Sequence, residues 1–357
     1  MDTERLFKRP LEFGDSLVKN RKQTFAKGMQ TGFHTLDQLM SFKKKYWSLE
    51  FAPPHVGKSV ITVDILMAQA EMGRYCCIYS PEFREESELI NALVQARLHK
   101  SFFGKYSESI TDEMYLEALE FVNEHFILII KPKKTKEGTQ PKMSAQKIFR
   151  EVYNAEQYYK VKFDFLFIDP ANFIEKDGEQ KFMETQDYVL SLCDDIAEYS
   201  KAMDLHTIVS AHTVKLDLVT DKDTGKIYYG RAHSSLVMGG QSWERGGYQI
   251  FQFVRLPEGV VNPQTGFPYP ANYTNVIVEK SKPFGVGRLG STGDLQSKNM
   301  DGLFFDPDTY TMYEIVDGNK YYRNEWYEKD KPKKDKAPTK SAIQPNINFG
   351  NLGQDPF

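Results

Sequence analysis

The sequence predicts an α/β fold with a mainly parallel, twisted sheet, helices on both faces and antiparallel strands at one edge. Two observations predict it. Between residues 46 and 211, short apolar runs alternate with segments of helical periodicity, which is the pattern of βαβ units. After residue 247, two apolar runs follow each other with only a Pro/Gly-rich loop between them, which indicates antiparallel strands.

The individual elements follow from the same periodicities. Strands are predicted at residues 46–51, 75–80, 125–130, 163–168 and 206–211, and helices at 58–72, from near 85, at 144–159 and at 182–202. The antiparallel pair is predicted at 248–255 and 272–280. Because the parallel strands are apolar on both faces, we expect them to form a buried middle layer.

Composition and charge set broad limits on the class of protein. The chain has 357 residues, is 40% hydrophobic and carries a formal net charge of -3, so any nucleic-acid surface must be local. Its three cysteines, Cys76, Cys77 and Cys193, show no metal-ligand spacing, which favours a reducing compartment. The sequence contains neither a signal peptide nor an apolar run of the roughly 18 residues that a membrane helix needs. We expect a cytoplasmic protein of a bacterial or phage-infected host cell, with no membrane partner.

The two ends of the chain differ from its middle. Residues 1–27 are polar and basic, and two interpretations stay open: a short helical arm that packs on a neighbour, or a partly ordered extension. Residues 328–357 are dominated by lysine, proline and asparagine, which predicts a disordered basic tail. One compact domain is therefore predicted over residues 28–327.

A phosphate-binding loop is the strongest local signal. A predicted strand is followed by a loop that opens a helix, with the residues Ala52, Pro53, Pro54, His55, Val56, Gly57, Lys58 and Ser59. In this context backbone N–H groups bind phosphate oxygens, and a glycine such as Gly57 allows close approach. Lys58 would neutralise the β- and γ-phosphates, and the Ser59 hydroxyl would bind Mg²⁺. The predicted cofactors are ATP and Mg²⁺.

Three polar residues follow the other predicted strands. Asp169 ends an apolar strand some 110 residues after the loop, where a carboxylate would hold Mg²⁺ through water. Glu82 follows the strand at 75–80, either to polarise the attacking water or as an ordinary acid of a helix start. His212 follows the strand at 206–211, either to contact the γ-phosphate or as a capping or partly buried histidine.

Four segments together resemble one known family. They are Thr-Gly-Phe-His-Thr-Leu-Asp at 31–37, the loop at 52–59, Ser-Pro-Glu-Phe at 80–83 and Glu-Lys-Ser-Lys-Pro-Phe-Gly at 279–285. Over roughly residues 30–290 the chain resembles the RecA-like C-terminal motor domain of DnaB-type replicative DNA helicases, including their phage and mitochondrial relatives. The resemblance implies a RecA-like P-loop NTPase fold that hydrolyses ATP with Mg²⁺.

The resemblance also implies roles for single residues. Glu82 would be the catalytic glutamate, Asp169 the Walker B aspartate, and His212 a sensor where the family usually has glutamine. Lys280 and Lys282 would reach the γ-phosphate bound by the neighbouring subunit, although the family usually has arginine at the second position. Lysine cannot form the bidentate arginine fork, so turnover would be slower or the register different; a solvated basic strand end is the alternative.

DNA contacts are predicted in two loops. The resemblance places the loops at 173–181 and 213–240 at the channel of a ring, with Lys176 in the first and Lys215 and Arg231 in the second. A few cations per subunit suffice to follow a phosphate backbone when several subunits contribute. Acids are interspersed in the second loop, so ordinary solvated loops are the alternative.

The resemblance predicts an ATP-dependent helicase or translocase that acts on single-stranded DNA during replication. It would work as a homo-oligomer, a hexameric ring with ATP hydrolysed between subunits, alongside a primase or other replisome proteins. Two alternatives stay open: a RecA-like recombinase that forms filaments on single strands, and a nucleotide-bound scaffold or helicase loader. Closed rings or filaments on DNA would distinguish the first, and DNA-stimulated ATP hydrolysis the second.

Overall fold

The computed structural model describes most of the compact domain. The described residues are 28–83, 85–103, 110–132, 143–214, 216–261, 266–282, 286–295 and 302–329, with Arg9, Leu11 and Asp15. The remainder of the predicted N-terminal arm, the predicted tail after Lys329, and Lys215 lie outside them. Within this part of the chain, no helix is long and apolar enough to cross a membrane.

Helices and strands alternate along most of the domain. The helices are α1 (His34–Asp37), α2 (Lys58–Glu71), α3 (Glu86–Leu98), α4 (Asp112–His125), α5 (Ala145–Tyr159), α6 (Thr185–Met203), α7 (Gln241–Gly246) and α8 (Glu325–Glu328). The strands are β1 (Trp47–Ala52), β2 (Cys76–Tyr79), β3 (Phe126–Leu128), β4 (Phe165–Ile168), β5 (His206–His212), β6 (Leu218–Thr220), β7 (Ile227–Tyr229), β8 (Gln249–Val254), β9 (Tyr273–Ser281), β10 (Gly290–Ser291), β11 (Gly302–Asp306), β12 (Thr311–Val316) and β13 (Asn319–Tyr322).

One large sheet organises the molecule. Its strand order is β13-β12-β11-β9-β8-β1-β5-β4-β2-β3, and β10 pairs with β9. The six strands from β8 to β3 are parallel, whereas β9 to β13 pair antiparallel. One apolar core lies between the sheet and α2 to α4, and a second between the sheet and α5 and α6. The predicted α/β fold, with helices on both faces of a mainly parallel sheet, is confirmed.

The position of the predicted antiparallel pair was wrong. The two strands are β8 and β9, but β8 pairs in parallel with β1, and three further strands continue the sheet beyond β9. These outer strands bury Leu303, Phe304 and Met312 in the cores. β8 and β9 therefore lie inside the sheet, and the antiparallel edge is formed by β11 to β13.

A buried ion-pair network ties this outer part of the sheet to α2. Arg323, which has no exposed side-chain surface, donates to Asp64 (2.7 Å) and Glu71 (2.9 Å) on α2. It also donates to the Ala96 carbonyl of α3 (2.6 Å). Burial raises the pKa of Asp64 to about 6, although Arg323 lowers it. An arginine paired in this way anchors the helix that follows the phosphate loop.

Candidate nucleotide-binding site

The predicted phosphate loop joins β1, in the middle of the sheet, to the N-terminus of α2. Gly57 precedes the helix with φ 86°, and His55 also has a positive φ of 64°. Only glycine adopts the first geometry at little cost, and its missing side chain leaves the backbone open to a ligand. Backbone N–H groups at a helix N-terminus form an anion site. The loop therefore has the local geometry that phosphate binding requires.

Lys58 and Asp169 form a buried ion pair at the start of α2. The Lys58 Nζ lies 2.7 Å from Asp169 Oδ1, and the side chains are only 11% and 1% exposed. Lys58 also donates to the Ser210 hydroxyl on β5. Burial alone would lower the pKa of Lys58, but the carboxylates of Asp169 and Glu50 outweigh it and raise that pKa. The lysine therefore stays charged while it waits for a ligand.

Ser59 and Asp169 meet at the place where a cation would be held. The Ser59 hydroxyl donates to Asp169 Oδ2 at 3.3 Å, and Asp169 directly follows β4. A hydroxyl and a carboxylate, completed by water and phosphate oxygens, are donors that Mg²⁺ accepts. Among the described residues, no group of three or more His, Cys, Asp or Glu side chains could hold a metal, so the fit is to a Mg²⁺ ion that arrives with phosphate.

Glu82 and His212 face the same cleft. Glu82 follows β2 and His212 ends β5, and their Oε2 and Nε2 atoms are 3.6 Å apart. Both side chains are about half exposed. A cavity of about 340 Å³ is lined by residues 52–60 together with Glu82, His212 and Thr213. The order β2-β4-β5-β1 thus brings the carboxyl ends of four strands, and every predicted residue on them, to one edge.

Two cations that sequence reasoning assigned to catalysis lie elsewhere. Lys282 donates its backbone N–H to Tyr248, just before β8, whereas the phosphate loop lies near Arg255 at the other end of β8. Lys280 donates to the Glu244 and Arg245 carbonyls at the end of α7. Burial, followed by Lys282, lowers the pKa of Lys280 to about 8. Neither lysine serves the loop of its own chain, and their role in a neighbour stays a prediction.

The predicted DNA-binding residues have different surroundings. Lys176 donates to the Met183 carbonyl (2.6 Å) and lies 5.2 Å from the Tyr188 ring centroid, so its charge is engaged within the chain. Arg231 is exposed, as a phosphate contact requires. Lys215 lies outside the described residues. Of the three, Arg231 is the candidate whose described side chain is open to a partner.

The predicted loop at 213–240 contains a hairpin. Strands β6 and β7 pair antiparallel, and their turn is held by Asp221 Oδ1, which accepts from the Thr224 backbone N–H at 2.7 Å. The strand β7 lines a cavity of about 450 Å³ together with residues 53–56 and Arg255. The interpretation of the whole segment as a loop was therefore wrong, because part of it folds against the phosphate loop.

Two residues at the site were missed from the sequence. Arg255 ends β8, and its guanidinium lies 3.8 Å from the point that a Gly57 Cβ would occupy. Glu50 lies in β1 with no exposed surface, and burial raises its pKa to about 7, although Lys58 lowers it. The available signals were an arginine at the end of an apolar run next to the loop and an acid inside an apolar strand.

The fold and the loop together define the class: a RecA-like P-loop NTPase. No family model matches the sequence, and no curated protein matches it. Solved structures do match. The isolated ATPase domain of one DnaB-like replicative helicase has a TM-score of 0.61 at 12% identity, over 86% of this chain and 99% of that one. A second DnaB-like replicative helicase, solved to study its interactions with primase, has a TM-score of 0.61 at 13% identity, over 87% of this chain and 68% of that one. The fold is that of the ATPase domain of DnaB-like replicative helicases.

Proposed function

We propose that this protein is an ATP-dependent translocase or helicase that moves on single-stranded DNA as a ring of identical subunits. The observation that carries the proposal is the convergence of Lys58, Ser59, Glu82, Asp169 and His212 at one sheet edge, in the fold of a replicative helicase ATPase domain. Catalysis in this class consists mainly of positioning and electrostatic stabilisation. The experiment that tests the proposal is ATP hydrolysis by the purified chain with and without single-stranded DNA, in which DNA should stimulate turnover.

The chain's own residues divide the work. Lys58 exchanges Asp169 for the β- and γ-phosphate oxygens, and the loop N–H groups bind the remaining phosphate charge. Ser59 and Asp169 would hold Mg²⁺, which supplies charge neutralisation when bound. Glu82 orients and polarises the water that attacks the γ-phosphate. His212, beside Glu82 and followed directly by the segment at 213–240, responds to the presence of that phosphate.

The subunit boundary completes the site in the proposal. Lys282 and the phosphate loop lie at opposite ends of β8, a strand of six residues and therefore roughly 20 Å long. A lysine side chain does not span that distance, so Lys282 is excluded from the loop of its own chain. A head-to-tail ring would bring the two edges of adjacent copies together. Lys282 would then supply a cation to the neighbour's γ-phosphate, and Arg231 would contact DNA phosphates.

Glu82→Gln is expected to separate binding from hydrolysis. The substitution removes the proton acceptor but keeps the size of the side chain, so ATP should bind within about threefold of the wild-type affinity. Hydrolysis should fall by roughly 10²- to 10⁴-fold, the range for loss of a general base. Steady-state phosphate release and a fluorescent-nucleotide titration measure the two quantities.

Glu86→Gln is the matched control, because Glu86 is an exposed acid in the first turn of α3. It should hydrolyse ATP at the wild-type rate. If Glu82→Gln also does so, Glu82 is an ordinary acid of a helix start and another group activates the water.

A further inference from the structure

A buried carboxylate lies beneath the phosphate-loop lysine. Glu50 has no exposed surface; its Oε2 accepts from the Thr62 hydroxyl at 2.7 Å, and its Oε1 has no hydrogen-bond partner among the described residues. The parallel register of β1 and β5 places Glu50 opposite Ser210, the residue whose hydroxyl accepts from Lys58. Glu50 is thus held next to the point where the lysine ammonium rests.

The groups around Glu50 give the empty site an excess of negative charge. Lys58 and Thr62 face it from α2, Asp169 from the end of β4 and Ser210 from β5. Its partner in β8 is the apolar Phe251. One cation therefore stands against two carboxylates. Because burial raises the pKa of Glu50 to about 7, its second negative charge is fully present only above neutral pH.

We propose that Glu50 makes nucleotide binding at this loop depend on magnesium, by placing a second buried negative charge beneath the lysine that receives the phosphates. The inference rests on the proposed function, in which the loop binds a nucleotide. A nucleotide without a metal carries more negative charge than its magnesium complex, so Glu50 repels it more strongly. Low solvent exposure keeps this repulsion from being screened. Glu50 thereby disfavours the metal-free nucleotide, which cannot be hydrolysed.

Glu50→Gln tests the inference by removing the charge and keeping the size and the acceptor for Thr62. The full chain is titrated with N-methylanthraniloyl-ADP at pH 8.5, once with EDTA and once with Mg²⁺. In EDTA the variant is expected to bind about tenfold more tightly than the wild type, the effect of one unit charge several ångströms away at an effective dielectric constant of about 20. With Mg²⁺ the two affinities should agree within about threefold. At pH 6, where Glu50 is mostly protonated, the EDTA difference should largely disappear.

Glu314→Gln is the control for loss of a buried acid. Glu314 has no exposed surface, burial raises its pKa, and it accepts from the backbone N–H groups of His34 and Thr35, away from the phosphate loop. This variant should keep the wild-type dependence on magnesium. If Glu50→Gln does not fold, Glu50→Met also removes the charge and has the same expected result.

Two outcomes would overturn the inference. Equal weakening of binding in EDTA and in Mg²⁺ would show that Glu50 only supports the strand through Thr62. An unchanged affinity of Glu50→Gln in both conditions, with wild-type protein that binds normally, would show that its charge is not felt. If the wild type binds the nucleotide in neither condition, the proposed function itself fails, and this inference with it.

Discussion

Lys58→Ala is expected to abolish ATP hydrolysis. Its Nζ is a charged donor at the start of α2, and it lies 2.7 Å from Asp169 with little exposure. In phosphoryl transfer a lysine at this position neutralises charge on the transferred group. Without it, turnover should drop to the background of the phosphate-release assay, and ATP affinity should fall as well. The loop backbone remains, so some phosphate binding is retained.

The same substitution has a cost in stability that must be measured separately. Removing one partner of a buried ion pair leaves an uncompensated charge, which costs about 3–5 kcal/mol where water does not enter. The free energy of unfolding from urea titration should therefore decrease, while far-UV circular dichroism stays unchanged. Lys45→Ala is the control, because Lys45 forms an exposed ion pair 3.6 Å from Asp204, and it should change neither quantity. Folded Lys58→Ala protein that turns over ATP normally would refute the assignment of the phosphate loop.

Lys282→Ala is expected to bind ATP almost normally but to hydrolyse it far more slowly. Lys282 is exposed, and it lies at the end of β8 opposite to the phosphate loop, so its removal leaves the loop of its own chain intact. Cations supplied by a neighbour contribute about 10³- to 10⁵-fold in related nucleotidases. A lysine lacks the guanidinium fork, so we expect a fall of roughly 10²-fold or more. Lys320→Ala, which removes an exposed lysine paired with Asp306 at 2.8 Å, should be neutral.

A mixing experiment distinguishes a role in the neighbour from a folding defect. Lys282→Ala and Lys58→Ala are each expected to be inactive alone. In mixed assemblies, some interfaces join an intact Lys58 to an intact Lys282, and these should recover turnover. If the subunits demonstrably exchange and the mixtures remain inactive at every ratio, Lys282 does not act across the interface.

The parallel half of the fold was predictable because its signals are local. Each of its strands is a short apolar run next to a helical period, and Gly57-Lys58-Ser59 marks the start of α2. The same locality explains what was missed. The strands β11 to β13 are secured by Arg323, whose partner Asp64 is 259 residues away in sequence, and no pattern within a window reveals such a pairing. Helix α4 was missed although Thr111 caps it and Asp112 and Glu113 follow in the first turn.

The candidate site was predictable to the extent that it depends on strand ends. Glu82, Asp169 and His212 each follow an apolar run, so a parallel sheet must bring them to one edge. The sequence did not reveal how each charge is used. Lys176 donates to a carbonyl within its own loop, which depends on how that loop folds. Glu50 looks like an interruption of an apolar strand until Thr62 and Lys58 are seen beside it.

The central claim is that ATP hydrolysis moves this protein along single-stranded DNA. Displacement of streptavidin from the biotinylated end of a single-stranded oligonucleotide tests it most directly, with free biotin to trap the released streptavidin. We expect the wild type to accelerate displacement with ATP and Mg²⁺, from one end of the strand only, and Lys58→Ala to leave the spontaneous rate unchanged. Wild-type protein that binds the oligonucleotide and hydrolyses ATP, yet leaves streptavidin in place at both ends, would contradict the claim.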